Sequence, residues 1–216
     1  MSLARRQTSL AGMHQPPVFA VSDPGEIALM LERAPLALLV THGPDGLFAS
    51  HLPMLVDLQR GVLAGHLARA NPHRSLAGEG EAMAVFSGPN AYVSPSWYPS
   101  KAEHGRVVPT WNYEAVHVYG ALSWHDDADW LRANVAALSA RFEAGRPAPW
   151  SIEDAPAGFI EGLARGIVGV ELAITRVEAK AKLSQNRGEA DRAGVVAGLS
   201  ASGIAGDAAV ARVMRP

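Results

Sequence analysis

The feature that most constrains this sequence is a series of short apolar runs separated by turn residues. Residues 36–41, 47–57 and 62–67 are such runs, and the segments between them contain glycine and are too short for a helix. Parallel strands need a crossover connection of about a dozen residues or more. These runs therefore predict antiparallel strands joined in a meander.

Further runs at residues 82–86, 92–94, 111–124 and 168–175 bring the expected number of strands to about six or seven. A sheet of this size avoids exposed edges by closing into a barrel. We expect a mainly β protein with helices (α+β), built on an antiparallel β-barrel whose ends are covered by the helices.

Four helices are indicated between or after these strands. One begins after Asp23, which can cap it, and another follows the acidic run 126–129. Asn71-Pro72 can start a short helix, and residues 156–165 can form another. The segment from Gly188 onward is rich in Ala and Gly and only weakly determines a structure.

The length of 216 residues suits one domain, and 48% hydrophobic residues suffice for a core. We predict a disordered N-terminal tail over residues 1–12, a domain over residues 13–200 and a flexible C-terminal tail over residues 201–216.

Composition excludes several classes of function. The chain has no cysteine, so disulfides, thiolate nucleophiles and cysteine-bound metals are ruled out. A net charge of -2 does not suit a protein that is basic throughout for nucleic-acid binding. No apolar run reaches the roughly 20 residues of a membrane span, and no signal peptide is apparent. We expect a cytoplasmic protein that does not bind membranes.

The usual nucleotide and metal motifs are absent: the chain has no Gly-x-Gly-x-x-Gly, no Walker loop and no His-Glu-x-x-His. His51, His66 and His117 fall on separate predicted strands and could converge as metal or haem ligands, although strand histidines more often bond locally. No Gly-x-Ser-x-Gly marks a nucleophile, so a Ser/His/Asp triad is left open without support. We predict no metal site.

The segment from Gly65 to Pro72 runs from a strand into a helix start, with Arg69 at the junction. A guanidinium beside free helical N–H groups is a suitable phosphate site. A solvent-facing arginine next to an ordinary Asn-Pro cap explains the same residues equally well.

Aromatic and polar residues flank the long loop 95–109. Residues 92–101 and 108–113 combine Trp, Tyr, Ser, Thr, Lys and Asn, a mixture that suits a flat heteroaromatic ligand. A dimer interface favours the same aromatics, and both readings hold if the site lies between subunits. The polar residues 182–187 could contact a phosphate or the edge of such a ligand, or form a solvated loop.

These segments carry a resemblance to a known family. Ser50-His51-Leu52-Pro53 and the runs 65–72, 92–101, 108–120 and 182–187 resemble, in order and spacing, the PaiB-type family of FMN-binding negative transcriptional regulators. The resemblance covers roughly residues 13–199. It implies the FMN-binding split barrel shared with flavin reductases and pyridoxamine-phosphate oxidases, and a homodimer with FMN at the subunit interface.

The resemblance also implies roles for individual residues. Arg69 is the best match for a phosphate ligand, followed by Lys101 and Lys182, and Trp97 and Trp111 are candidates to cover the ring. The complete set of implied cofactor-binding residues is Ser50, His51, Leu52, His66, Arg69, Asn71, Trp97, Lys101, Thr110, Trp111, Asn112, Lys182, Gln185 and Asn186.

Three functions follow from this sequence. The first is a flavin-binding protein, with FMN supplying any redox chemistry and only His51 and His66 as candidates for proton transfer. Whether the protein is an enzyme stays open. The second is a transcriptional regulator, although no basic recognition helix is found and direct DNA binding is therefore doubtful. The third is haem binding or degradation, with His51, His66 or His117 as the axial ligand.

Overall fold

The computed structural model describes residues 12–215, which form one antiparallel sheet and a set of covering helices. The strands are β1 (Ala20–Val21), β2 (Leu36–Gly43), β3 (Gly46–Pro53), β4 (Leu55–Asp57), β5 (Val62–Ala68), β6 (Glu81–Val93), β7 (Thr110–His125) and β8 (Ile167–Lys182). The α-helices are α1 (Pro24–Arg33), α2 (His73–Leu76), α3 (Ser100–His104), α4 (Ala128–Glu143), α5 (Phe159–Ala164), α6 (Glu189–Ala201) and α7 (Asp207–Val213).

The strands follow the order β3-β2-β6-β7-β8-β5-β4, and β1 pairs with β8. The sheet curls so far that β5 approaches the end of β3: a Cβ atom on Gly65 would lie 2.8 Å from the carbonyl oxygen of Pro53. No ladder joins β3 to β5 in residues 12–215, so the barrel is split at this seam. The predicted antiparallel barrel with helices is confirmed.

Bulges on the long central strands give the sheet its curvature. The register shifts between Ser87 and Asn90 on β6, and on β8 at Thr175, which is the extra residue opposite Tyr119 and Gly120 of β7. At the second bulge β7 and β8 approach so closely that a Cβ on Gly120 would lie 2.1 Å from the carbonyl oxygen of Ala173. Bulges bend and twist a strand, which allows a sheet to close.

Two apolar cores hold the fold together. The first fills the barrel and includes Leu39, Leu63, Phe86 and Leu172, each at most 1% exposed. The second lies at the far end of β6 and β8 and includes Val93, Val195, Leu199 and Val210, each at most 1% exposed. The helices α6 and α7 pack against the end of β8 through this core.

Several local predictions agree with this structure. Asp23 caps α1 by accepting from Glu26 N at 2.8 Å, and Asp127 caps α4 by accepting from Trp130 N at 2.8 Å. Residues 82–86 and 92–94, predicted as two strands, are one continuous strand, because Gly88 and Pro89 form the bulge instead of a break. The loop 95–109 contains a 3-10 turn and α3.

The predicted flexible tail over residues 201–216 differs from the structure, because it contains α7. Its side chains are buried in the second core: Met214 is 4% and Ala211 2% exposed. Small residues in α6 let this helix pack closely on the turn that follows β6, since a Cβ on Gly198 would lie 2.3 Å from the Trp97 ring. The Ala- and Gly-rich composition therefore allows close packing here. The predicted tail 1–12 lies, apart from the exposed Gly12, outside the described residues.

None of the helices between residues 12 and 215 combines the length and the apolar character that crossing a bilayer requires.

Candidate functional site

Two of the predicted cofactor residues, Ser50 and Asn71, belong to a buried hydrogen-bond chain. Asn71 Nδ2 donates to Ser50 Oγ at 3.1 Å, and Ser50 Oγ lies 2.9 Å from His73 Nδ1. His73 Nε2 in turn lies 3.0 Å from Thr41 Oγ1. This chain ties α2 to β2 and β3, so the polar atoms of Ser50 and Asn71 are engaged inside the protein.

His73 is the centre of this chain, and sequence reasoning missed it. Its side chain is 0% exposed, and burial lowers the pKa of the imidazole below 6.5. Burial is also the largest influence on His117, whose pKa is lowered although the carboxylate of Glu178 opposes the shift. Both histidines are therefore favoured as neutral rings in the folded protein.

We expect the free energy of unfolding to decrease as the pH falls below about 6.5. In the unfolded chain His73 and His117 take up a proton near pH 6.5, whereas in the folded protein they do so only at lower pH. Their contribution is complete above pH 6.5 and is lost toward acid, by at most about 1.4 kcal/mol per pH unit for each histidine. Urea unfolding between about pH 7.5 and about pH 5.5 measures this slope.

The variant His117→Gln should have a smaller slope, because it removes one of the two titrating groups. Glu114 works in the opposite direction, since burial raises its pKa, although the hydrogen bonds and charge of Arg33 limit the rise. A free energy of unfolding that stays constant across this pH range would contradict neutral burial of both histidines.

Arg69, the best sequence match for a phosphate ligand, makes structural contacts. Its guanidinium donates to the carbonyl oxygens of Arg165 at 2.9 Å and Ile167 at 2.7 Å, and to Asp126 Oδ1 at 2.6 Å. Arg74 binds the other oxygen of Asp126 at 2.7 Å. These hydrogen bonds are the largest cause of the lowered pKa of Asp126. Arg69 therefore joins the ends of β5 and α5 to the start of β8.

The start of α2 offers little for an anion. The helix is four residues long, and the N–H group of His73 already donates to Asn71 Oδ1 at 2.9 Å. The predicted pairing of free helical N–H groups with Arg69 is therefore not available at this junction in the single chain.

The three strand histidines do not converge within one chain. His51 is exposed on the outer face of β3, and His117 lies in the same cross-strand row, reached through Leu38 and Val85. Three strand spacings correspond to about 14 Å. His66 is on β5, where its Nδ1 lies 3.1 Å from Asn134 Oδ1 of α4. The predicted common metal or haem site of these histidines is therefore not formed by a single chain.

Leu52, Trp97 and Lys101 have dissimilar surroundings. Leu52 is 1% exposed in the first core. Trp97 is half-buried against α6, while Lys101 is exposed and donates to Ser96 Oγ at 3.1 Å. Of these three, Lys101 is the one with an exposed charged side chain.

Gln185 and Asn186 lie in the turn that follows β8. Gln185 accepts from Leu183 N at 2.7 Å and donates to the carbonyl oxygen of Ala181 at 2.6 Å. Asn186 is exposed. Gln185 therefore stabilises the turn, and Asn186 is the one of the two whose side chain faces solvent.

Asn112 shapes the same turn from beneath. It is 0% exposed, its Nδ2 donates to Ser184 Oγ at 3.0 Å, and its Oδ1 accepts from Ser184 Oγ at 3.2 Å. Ser184 has a φ of 64°, in the left-handed region that non-glycine residues seldom adopt. Asn112 thus holds a strained residue and is a positioning residue in this structure.

We expect Asn112→Leu to lower the free energy of unfolding by about 1–3 kcal/mol, because the buried Ser184 hydroxyl would lose its partner. Urea unfolding measures the change. The double variant Asn112→Leu, Ser184→Gly is the matched control: it removes both hydrogen-bonding partners and the left-handed strain, so it should cost less than Asn112→Leu alone. Equal stability of Asn112→Leu and the unchanged protein would contradict this role.

The remaining predicted residues meet at a cluster of positive charge. Lys182 Nζ donates to Thr110 Oγ1 at 2.5 Å and to the carbonyl oxygen of Trp111 at 2.6 Å. Burial is the largest cause of the lowered pKa of Lys182, and the positive charges of Lys180 and Arg187 lower it further. We call Lys180, Lys182 and Arg187 the cation cluster.

The cation cluster has no negative partner in the part of the chain that the structure describes: no carboxylate forms a salt bridge with any of the three. Lys180 is 6% exposed, and its Nζ donates to the carbonyl oxygen of His14 at 2.8 Å. Cations this poorly hydrated are costly without a counterion, so the cluster favours an anion. Sequence reasoning found Lys182 but missed Lys180, although the i, i+2 spacing puts both on one face of β8.

Trp111 is an exposed aromatic platform beside Lys182. It is 50% exposed, yet its indole Nε1 donates to Asn90 Oδ1 at 3.2 Å. The Tyr92 ring packs against it edge to face, with ring centroids 6.2 Å apart. An exposed ring held on two sides can stack on a flat ligand without losing further freedom.

Comparison with known proteins identifies the family. Residues 13–176 match the sequence profile of the family described as "Putative FMN-binding domain". The chain is 32% identical over 187 residues to the protease synthase and sporulation protein PAI 2 of Bacillus subtilis, covering 85% of this chain and 87% of that protein. It is 31% identical over 225 residues to an uncharacterised protein of Emericella nidulans, covering 86% and 90%.

Solved structures support the fold. The flavocytochrome Anf3 of Azotobacter vinelandii superimposes with a TM-score of 0.55 at 15% identity, covering 81% of this chain and 74% of that one. The FAD and heme binding protein of Mycobacterium smegmatis gives a TM-score of 0.53 at 16% identity, covering 76% and 73%. With the profile match and the split-barrel topology, the chain belongs to the PaiB-type family of FMN-binding split-barrel proteins.

Proposed function

We propose that this chain binds FMN through the cation cluster and Trp111. The observation that carries the proposal is a set of poorly hydrated cations without a carboxylate partner, next to a fixed and exposed indole ring. A phosphate group suits the cluster, since it brings two negative charges and several acceptor oxygens. A flat ring system suits Trp111, whose own hydrogen-bond donor is already satisfied.

The phosphate distinguishes FMN from riboflavin, which has the same ring system and no charge at that end. Titration of the purified protein with FMN, followed by the flavin absorbance near ~450 nm, should give saturable binding. Riboflavin should bind at least about tenfold more weakly, the loss expected for a charge-assisted contact. Equal affinities for FMN and riboflavin would exclude the cation cluster as the phosphate site. Failure of both molecules to bind would exclude a flavin as the ligand.

We further propose that the protein is a homodimer whose subunits meet over the outer face of the sheet. This face carries Leu38, Val40, Met83 and Val85, which are only half-buried, and Leu47, which is 76% exposed. His51 and Trp111 face the same side, at separate positions on the sheet. A contiguous apolar face of this kind favours association, and a second copy would enclose a flavin that lies on it.

Bound FMN would supply the redox chemistry, and the chain would bind and orient it. His51 is the predicted proton-transfer residue that stays accessible on the outer face, because His66 is bonded to Asn134. Direct DNA binding gains no support from α4, where the Arg132 guanidinium is paired with Glu153 at 3.3 Å and Glu161 at 3.1 Å.

A further inference from the structure

A cavity of about 590 Å³ lies between α1, the bulge of β6 and α7, and Glu114 lines it from β7. Side chains alternate between the two faces of a strand, so Glu114 points away from the face that carries Trp111. Lys180 pairs with Ala115, which shares the face of Trp111. The cavity therefore lies on the other face of the sheet from the cation cluster and from the proposed subunit interface.

A fixed arginine lines the cavity from α1. Arg33 Nε donates to Glu114 Oε2 at 3.1 Å, and its Nη2 donates to Oε1 and Oε2, each at 2.9 Å. Glu114 is 4% exposed, whereas the Arg33 side chain is 35% exposed. Among the hydrogen bonds of residues 12–215, none uses Arg33 Nη1, which leaves this donor for a ligand. A guanidinium already held in place loses little freedom when it binds a further acceptor.

The cavity carries an excess of positive charge. Arg212 and Arg215 line it from the α7 side, and in residues 12–215 no carboxylate forms a salt bridge with either. Glu26, in the first turn of α1, contributes a negative charge. Since Arg33 and Glu114 compensate each other, the positive charges exceed the negative ones by one. This balance favours an anion of a single charge, because Glu26 opposes a second one.

The remaining lining residues are apolar. Leu183 is 7% exposed, and Pro89, Ala209 and Val213 are half-buried. Leu183 and Val213 pack in the second core, so this part of the wall is fixed. A short hydrocarbon chain would be removed from water here.

We propose that this cavity binds a small monocarboxylate with a short hydrocarbon body. Its carboxylate would accept from Arg33 and Arg212, and its hydrocarbon part would contact Leu183 and Val213. The volume lies within the range of about 300–1,000 Å³ that small-molecule sites occupy. The site goes beyond the proposed flavin function and does not depend on it, because the two lie on opposite faces of the sheet.

Isocaproate and isocaproamide are suitable probe molecules because they share a carbon skeleton and differ in the charge of the head group. In the full-length ¹⁵N-labelled protein, isocaproate should shift the backbone amide resonances of Glu114, Leu183 and Val213 saturably. Isocaproamide should bind at least about tenfold more weakly, the loss expected for a charge-assisted contact. Inorganic phosphate, which has no apolar part, should also bind at least about tenfold more weakly. Saturating FMN should leave the isocaproate affinity unchanged.

The double variant Arg33→Leu, Glu114→Leu tests the fixed guanidinium, because it keeps the net charge of the cavity and leaves no buried carboxylate without a partner. It should lose most of the preference for isocaproate over isocaproamide. Arg212→Gln should weaken isocaproate binding by about three- to tenfold. Arg60→Gln, at an exposed arginine in the turn between β4 and β5, is the matched control for the loss of one charge and should leave the affinity unchanged.

If the double variant does not fold, the comparison of Arg212→Gln with Arg60→Gln still decides. Equal affinities for isocaproate and isocaproamide would overturn the proposal, as would tighter binding of phosphate. An equal loss of affinity in Arg212→Gln and Arg60→Gln would reduce the effect to general electrostatic attraction and would also overturn it. Displacement of isocaproate by FMN would place the carboxylate in the cation cluster and exclude the cavity.

Discussion

Lys182→Met is expected to weaken FMN binding by about ten- to a hundredfold and to leave riboflavin binding nearly unchanged. Methionine keeps the length and apolar stem of the side chain but removes its charge. The remaining cations, Lys180 and Arg187, would still attract a phosphate, so binding should be weakened without being abolished. Parallel titrations of the unchanged protein and the variant with FMN and riboflavin measure the effect.

Arg69→Met is the sharpest comparison, because sequence resemblance favours Arg69 while the structure engages its guanidinium with Asp126 and two carbonyl oxygens. We expect this variant to lower the free energy of unfolding. The ratio of FMN affinity to riboflavin affinity should change little. If Arg69→Met removed the preference for FMN and Lys182→Met did not, the phosphate would lie at the end of β5 and the cation cluster would be excluded.

Gly120→Ala should lower the free energy of unfolding by about 3 kcal/mol or more, since overpacking against backbone is among the costlier substitutions. The added Cβ would lie 2.1 Å from the carbonyl oxygen of Ala173 and 2.6 Å from Leu172 Cδ2, so β7 and β8 would have to separate at the bulge. Urea unfolding measures this loss. The dependence of the free energy of unfolding on urea concentration should be the same for the variant and the unchanged protein.

Gly80→Ala is the matched control, because a Cβ at that position meets no atom within 4 Å. It should change stability by less than about 0.5 kcal/mol. A Gly120→Ala variant as stable as Gly80→Ala would show that the bulge adapts to a methyl group without cost.

The strand order could be predicted only in part from the sequence. Turn residues such as those at 42–46 specify antiparallel neighbours locally, so the meander of the first strands was accessible. The pairing of β5 with β8 joins residues about a hundred positions apart and has no local signal. Gly88 and Pro89 predict a strand end, because glycine and proline also break strands, but in the structure they form a bulge within β6.

The candidate site, like the strand order, could be predicted only in part from the sequence. Lys182 and Trp111 could be singled out by residue type and by resemblance, but the chemistry of Asn112 depends on its 0% exposure and its contact with Ser184. His73 was hidden because a single histidine after Asn71-Pro72 carries no pattern. Whether a polar residue faces a ligand or the interior depends on strand register, which the tertiary fold determines.

The most direct test of the account is the mass and flavin content of the purified protein with FMN bound. Light scattering coupled to gel filtration should give a particle of twice the chain mass of 22.8 kDa, and the absorbance should give one FMN per chain. A particle of one chain that binds FMN at full occupancy, or a two-chain particle that excludes FMN, would contradict a flavin site enclosed between two copies of this barrel.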